Sequence, residues 1–278
     1  MSRPFRALCL AGLLAAASLA HAEIDRPAAE SLVRKSGLWE QLGGVAPQIE
    51  AGLQQAMADA SAEPAESEKA RISRVVQNAY APDRLRSVSA GVIAAKVRPE
   101  HLETLRAWFD SPSGQAVVHA EEAPGGQPDD SARALKQGLT LLASMPAERR
   151  KLLEDLLAAT HAAEGMVRIT ISTTVAVQQG AASALAGVSG PTPKQARAAL
   201  EAQRPQMLKA FTAVMMATFA RTYAELPSEP LRAYVAFIRS PAGADFNEIS
   251  LEALDAALSD AATQMGRSLP GTRDGSNI

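Results

Sequence analysis

His119 with Glu121 and Glu122, and His161 with Glu164, are two histidine–carboxylate groups of this sequence. Residues two to four apart on a helix can share a face or an edge, so either group could begin a metal site or a proton relay. A structural zinc centre takes about four ligands, and a catalytic one about three plus a water. Neither group reaches that number, His-Glu-x-x-His does not occur, and no metal or cofactor is expected. The nucleophile patterns Gly-x-Ser-x-Gly and Ser-x-x-Lys are absent as well. No glycine-rich loop runs into a Lys-Ser/Thr pair that would cradle a phosphate. The acid pairs Glu121-Glu122, Asp129-Asp130 and Glu154-Asp155 are immediate neighbours, which point apart on a helix. A two-carboxylate hydrolase would need acids brought together from distant parts of the chain. No catalytic residue is assigned.

The pattern with most information is a repeated one. Residues 108–115 read WFDSPSGQ and residues 237–244 read FIRSPAGA, with Ser111 and Ser240 129 positions apart. Each follows an amphipathic helical stretch, with Leu102, Leu105, Trp108 and Phe109 in one and Leu231, Tyr234, Phe237 and Ile238 in the other. The local chemistry predicts a sharp corner between two helices. Ser111 and Ser240 suit the N-cap of the second helix. Pro112 and Pro241 suit its first position, where a missing N–H costs nothing. Gly114 and Gly243 carry no side chain, so the preceding helix can come close. Trp108, Phe109, Ser111, Pro112, Gly114 and Gln115, with Phe237, Ser240, Pro241 and Gly243, are therefore taken as a structural motif. At the same offset Glu100 meets Glu229 and Leu102 meets Leu231, and the segments 37–58 and 165–187 both open on glycine. These matches predict an internal duplication.

The elements that carry the motifs are expected to be helices. The chain is rich in Ala and Leu, with only 4% aromatic residues. This composition predicts an all-α fold of about eight to ten helices in two related halves. Loops are expected at 60–69, 123–131 and 187–194, where Pro, Gly and Asp collect. The stretch VRITISTTVAV (167–177) alternates as a strand would. Its helical stripe of Met166, Ile169, Thr173, Val177, Ala181 and Ala184, and its Ala-rich flanks, favour a helix. The division that follows is a first helical repeat at 23–122, a linker and bridging helix at 123–145, a second repeat at 146–269 and a disordered tail at 270–278.

Residues 1–22 have the form of a secretory signal. Arg3 and Arg6 precede an apolar run from Leu8 to Leu19, and Ala20-His21-Ala22 is a small-x-small cleavage pattern. The run is short for a membrane span, which needs about 20 residues. The single cysteine, Cys9, leaves with this segment, so the exported chain uses no disulfide. Without residues 1–22 the chain has 26 basic against 30 acidic residues. That mild acidity gives no support to nucleic-acid binding. The expected location is the periplasm, and the expected form is not an integral membrane protein.

On these residues the chain resembles the bacterial periplasmic family that carries the domain of unknown function 2059. That family's hallmark is an aromatic-rich helix followed by Ser-Pro-x-Gly-Gln, matched here by Trp108, Phe109, Ser111, Pro112, Gly114 and Gln115. Phe237, Ser240, Pro241 and Gly243 match it a second time, with Ala244 in place of the glutamine. The resemblance spans roughly 75–122 and 205–265, and it brings no established activity.

The expectation is a non-enzymatic binding or interaction module whose partner is an unknown protein or a small apolar ligand. Two alternatives stand beside it: an envelope-acting hydrolase with fold-assembled carboxylates, and a peripheral membrane-associated protein. An apolar cleft between the halves would distinguish the first, and two acids converging in a pocket the second.

Overall fold

A computed structural model describes residues 23–58, 65–122, 131–184 and 191–268. The expected signal at 1–22 and the expected tail at 270–278 lie outside the described residues, as do most of the three expected loops. Where those loops are described, Glu66–Lys69, Ser131 and Pro193-Lys194 already belong to helices.

Among the described residues the fold is all-α, with no strand. The first part contains α1 (Arg26–Lys35), α2 (Leu38–Gly43), α3 (Val45–Ala58), α4 (Glu66–Ala79), α5 (Pro82–Lys96), a 3-10 turn (Pro99–His101), α6 (Leu102–Asp110) and α7 (Pro112–Glu122). Then come α8 (Ser131–Ser144), α9 (Ala147–Thr160), α10 (Ala162–Ala184), α11 (Pro193–Glu201), α12 (Arg204–Thr222), α13 (Ser228–Ile238) and α14 (Pro241–Ser268). The chain is cut more finely than eight to ten helices, because proline and glycine punctuation makes separate short helices at both ends of the first part. Residues 167–177 form the middle of α10. Thr170, Thr173 and Thr174 each donate a hydroxyl bond to the carbonyl four residues back, at 2.7–2.8 Å. Those bonds let β-branched residues sit in a helix, while Val167 and Ile171 fill the core.

The two Ser-Pro-x-Gly corners have the same local structure. Ser111 Oγ donates to the Trp108 carbonyl at 2.7 Å and accepts from the Gly114 N–H at 3.0 Å. Ser240 Oγ donates to the Phe237 carbonyl at 2.6 Å and accepts from the Gly243 N–H at 3.1 Å. One hydroxyl thus ties the last turn of one helix to the first turn of the next, satisfying groups that both ends leave open. A Cβ on Gly114 would collide with the Trp108 carbonyl oxygen, and one on Gly243 with that of Phe237.

The core explains why the chain turns at these places. One apolar cluster joins Leu32, Leu85, Ile93 and Leu105 to Phe246, Ile249, Ala253 and Ala257 of α14. The other joins Leu153, Leu156, Phe219, Leu231 and Val235 to Val117 of α7. At each corner the chain therefore leaves the helices that precede it and packs into the opposite cluster. The two parts interlock. Arg84 with Asp260, Lys96 with Glu252, and Arg98 and His101 with Asp245 pin α5 and the 3-10 turn to α14. The Arg and Lys pairs among these are largely exposed and contribute roughly 0–1 kcal/mol each, so apolar burial dominates this interface. On its other side α14 runs beside α10, and Gly180 and Gly266 let the two backbones touch.

Candidate functional site

The two corners bring their aromatic rings together. Trp108 stacks on Phe237 with centroids 4.5 Å apart, and lies parallel to Tyr234 at 5.9 Å. Phe109 meets Phe237 and Phe246 edge to face. Beside these rings is a cavity of about 410 Å³, within the ~300–1,000 Å³ range of small-molecule sites. Its walls hold Trp108, Phe109, Phe219, Tyr223, Tyr234, Phe237 and Phe246. These are seven of the chain's eleven aromatic residues, so an aromatic-poor sequence has spent most of its rings on one place.

The lining also pairs by position. Trp108 and Phe237, Phe109 and Ile238, Val117 and Phe246, Val118 and Asn247, and Glu121 and Ser250 are each 129 positions apart, and all ten face the cavity. It therefore sits where α6–α7 and α13–α14 cross, with each contributing corresponding positions.

Among the described residues Glu121 is the one charged group of the lining, whose other polar members are uncharged Ser, Thr, Asn, Gln and Tyr side chains. Glu121 Oε1 accepts a bond from the Tyr223 hydroxyl at 2.5 Å, and the Tyr234 phenol lines the same cavity beside it. Burial pushes the Glu121 carboxyl up to about 7; the two phenols oppose that rise, and neighbouring Glu122 adds slightly to it. Burial, followed by the charge of Glu121, pushes the Tyr223 and Tyr234 hydroxyls well above the usual phenol range. Glu121 has no basic partner among the described residues. Asn247 commits its amide nitrogen to the Thr160 carbonyl at 2.9 Å. Ser250 Oγ is buried without a hydrogen-bond partner among the described residues. A second, more polar cavity of about 580 Å³ lies between α10, α11 and α14, around Arg168, Ser172, Arg197 and Asp255.

Of the motif residues, Trp108, Phe109 and Phe237 line the first cavity, while Ser111, Pro112, Gly114, Ser240, Pro241 and Gly243 build the corners behind it. Gln115 is exposed, with its amide 3.5 Å from the Asp110 carbonyl, and it does not face the cavity. The histidine groups do not assemble. His119 is exposed, His161 ends α9 at φ +50°, and His101 pairs with Asp245. Among the described residues no group of three or more His, Cys, Asp or Glu is placed to hold a metal ion.

Sequence reasoning noted Glu121 only beside His119 and Glu122, and missed Tyr223, Tyr234, Asn247 and Ser250 as a polar set. One signal was present. Gly114, Val117, Val118 and Glu121 follow the i, i+3, i+4, i+7 spacing of one helical face, so the acid falls on the apolar side of α7.

No protein-family model, no curated protein and no solved structure matches this chain.

Proposed function

We propose that this chain is a non-enzymatic binding module of the bacterial periplasm that holds a small apolar ligand between two halves descended from one duplicated helical unit. The observation that carries the reading is the cavity at the crossing, where seven aromatic residues and one half-buried carboxyl share the wall. A closed core of this composition would fill the space, since protein interiors leave few voids larger than a water molecule. The duplication draws support from the two identical corner geometries and from the five lining pairs at one offset. The form of residues 1–22 and the likeness of both corners to the family carrying the domain of unknown function 2059 support export to the periplasm.

Two-carboxylate hydrolysis fits less well. It needs two acids facing one another across the substrate, and the lining contains one, Glu121, among the described residues. Peripheral membrane association has one observation in its favour: α8 exposes Leu135, Leu139 and Leu141 on a helix that also carries Arg133 and Lys136. No described helix is long and apolar enough to cross a membrane. Retention of the protein on anionic liposomes at low salt, lost on Leu139→Asp, would favour that second reading.

The test of the first is native mass spectrometry of the exported protein purified without detergent. A reproducible added mass that disappears on denaturation is expected. A bare chain mass, together with no stabilisation by any small apolar compound in thermal melts, would overturn the reading.

A further inference from the structure

We infer that the cavity at the crossing selects an organic ammonium, a cation carried on an apolar body, and that Glu121 is the residue that recognises the charge. The inference rests on the proposed ligand cavity and names the chemistry of its occupant.

The carboxyl is the starting point. Glu121 lines the cavity and is hemmed in by protein, yet no Lys, Arg or His among the described residues pairs with it. Elsewhere the chain pairs its acids readily: Asp155 holds both Lys151 and Arg239, and Glu201 holds Arg204. A buried carboxylate without a counter-charge is costly, and the cost is removed when a partner brings one.

The groups facing Glu121 fix the kind of partner. Tyr223, which caps the end of α12, donates its hydroxyl to the carboxyl, and Tyr234 of α13 brings a second phenol to the same side. The bond holds the carboxyl as an acceptor and orients it without neutralising it. Glu122, the other titratable neighbour, is also acidic. What the polar end of the cavity offers a ligand is negative charge. Seven of the other wall residues are aromatic, the remainder being aliphatic or uncharged polar side chains, and ring faces attract cations, most strongly where water is excluded. An anionic ligand would meet Glu121 and gain nothing from the rings. A neutral apolar ligand would bury the carboxyl further and force it to take up a proton. An ammonium with an apolar body satisfies both ends at once. Ser250, at the position matching Glu121 in the second half, adds an unpartnered hydroxyl to the same wall.

The experiment uses the full exported chain and three probes with one ten-carbon chain: decyltrimethylammonium, decanol and decanoate, each below its micelle concentration. Binding is followed by isothermal titration calorimetry in two buffers of different ionisation enthalpy, near neutral pH and one unit above it. The cation is expected to bind about tenfold or more tightly than decanol, a difference of about 1.4 kcal/mol. It should release protons near neutral pH, as Glu121 gives up its proton to pair, and tighten as the pH rises. Glu121→Gln should bring the cation to the level of decanol and abolish the proton release, while decanol binds the variant at least as well as the parent. Retained decanol binding shows that the variant is folded. If decanol or decanoate binds as tightly as the cation, or if the cation is indifferent to Glu121→Gln, ammonium selectivity is overturned and the apolar cavity stands. If none of the three binds the folded chain, the ligand cavity itself falls with it.

Discussion

Trp108 and Phe237 occupy positions 129 apart in the chain, and their rings stack within 7° of parallel at 4.5 Å. The two corners thus meet ring to ring, α6 against α13. The contact is also where one cavity wall is built. Phe237 is buried and touches Phe109 as well. Truncating it should cost about 3 kcal/mol in denaturant unfolding, as for other buried phenylalanines. A double-mutant cycle of Phe237→Ala with Trp108→Ala should return a coupling of about 1 kcal/mol beyond the separate losses. Strict additivity would show that the two rings are neighbours without being partners.

The corners make a prediction that separates capping from close approach. Ser111→Ala and Ser240→Ala each remove a hydroxyl that serves two helices, and each should cost about 1 kcal/mol. Gly114→Ala and Gly243→Ala drive a methyl group into a backbone carbonyl that cannot move without shifting the preceding helix. Overpacking of this kind typically costs about 1–3 kcal/mol. At both corners the glycine substitution is therefore expected to be the more damaging one. Urea melts of the four variants would show it, and equal losses at serine and glycine would contradict the close approach.

Local chemistry was legible in the sequence and tertiary exchange was not. The all-α fold followed from composition and period. Ser111, Pro112 and Gly114 announced their corner because capping, fixed φ and small size act within a few residues. The crossing of α7 and α14 into opposite clusters was hidden, since Val117 and Ala253 read as core whichever core receives them. The cavity at the crossing was hidden for the same reason. Tyr223, Tyr234 and Glu121 are separated by more than a hundred positions at the widest, and only the crossing brings them together. The histidine groups illustrate the converse: nearness in sequence put His161 and Glu164 within reach of each other, and the fold used His161 to end a helix instead.

Glu121 should make stability fall as pH rises. Its folded carboxyl is raised to about 7 from an ordinary 4.5. Between those values the folded chain holds a proton that the unfolded chain has lost, so the unfolded state gains on it. Below about 4.5 the penalty is absent, and above about 7 it is complete, at up to about 3 kcal/mol. Glu121→Gln keeps the acceptor for Tyr223 and cannot ionise. The variant should match the parent near pH 4.5, exceed it increasingly toward pH 7 and keep a constant advantage beyond. Chemical denaturation of both proteins across this window checks the sign. A parent that gains on the variant with rising pH would mean that the fold stabilises the ionised carboxyl.

The interlocking predicts how the chain behaves when divided. The first cluster loses Phe246, Ile249, Ala253 and Ala257 if α14 is absent, and the second loses Val117 if α7 is absent. Since α14 packs along α5 within this cluster, its removal uncovers Leu85 and Ile93 together. Small domains have little stability to spare, roughly 5–15 kcal/mol, and exposing several large apolar side chains at about 1.5–3 kcal/mol each exhausts it. A fragment spanning 23–145 should therefore be helical by circular dichroism but melt without a cooperative transition. Mixed with a fragment spanning 146–268, it should regain a sharp transition and the fluorescence of Trp108 stacked on Phe237. Independent cooperative melting of both fragments, unchanged on mixing, would mean that each half carries its own core and that the crossing at the two serine corners is not what holds the protein together.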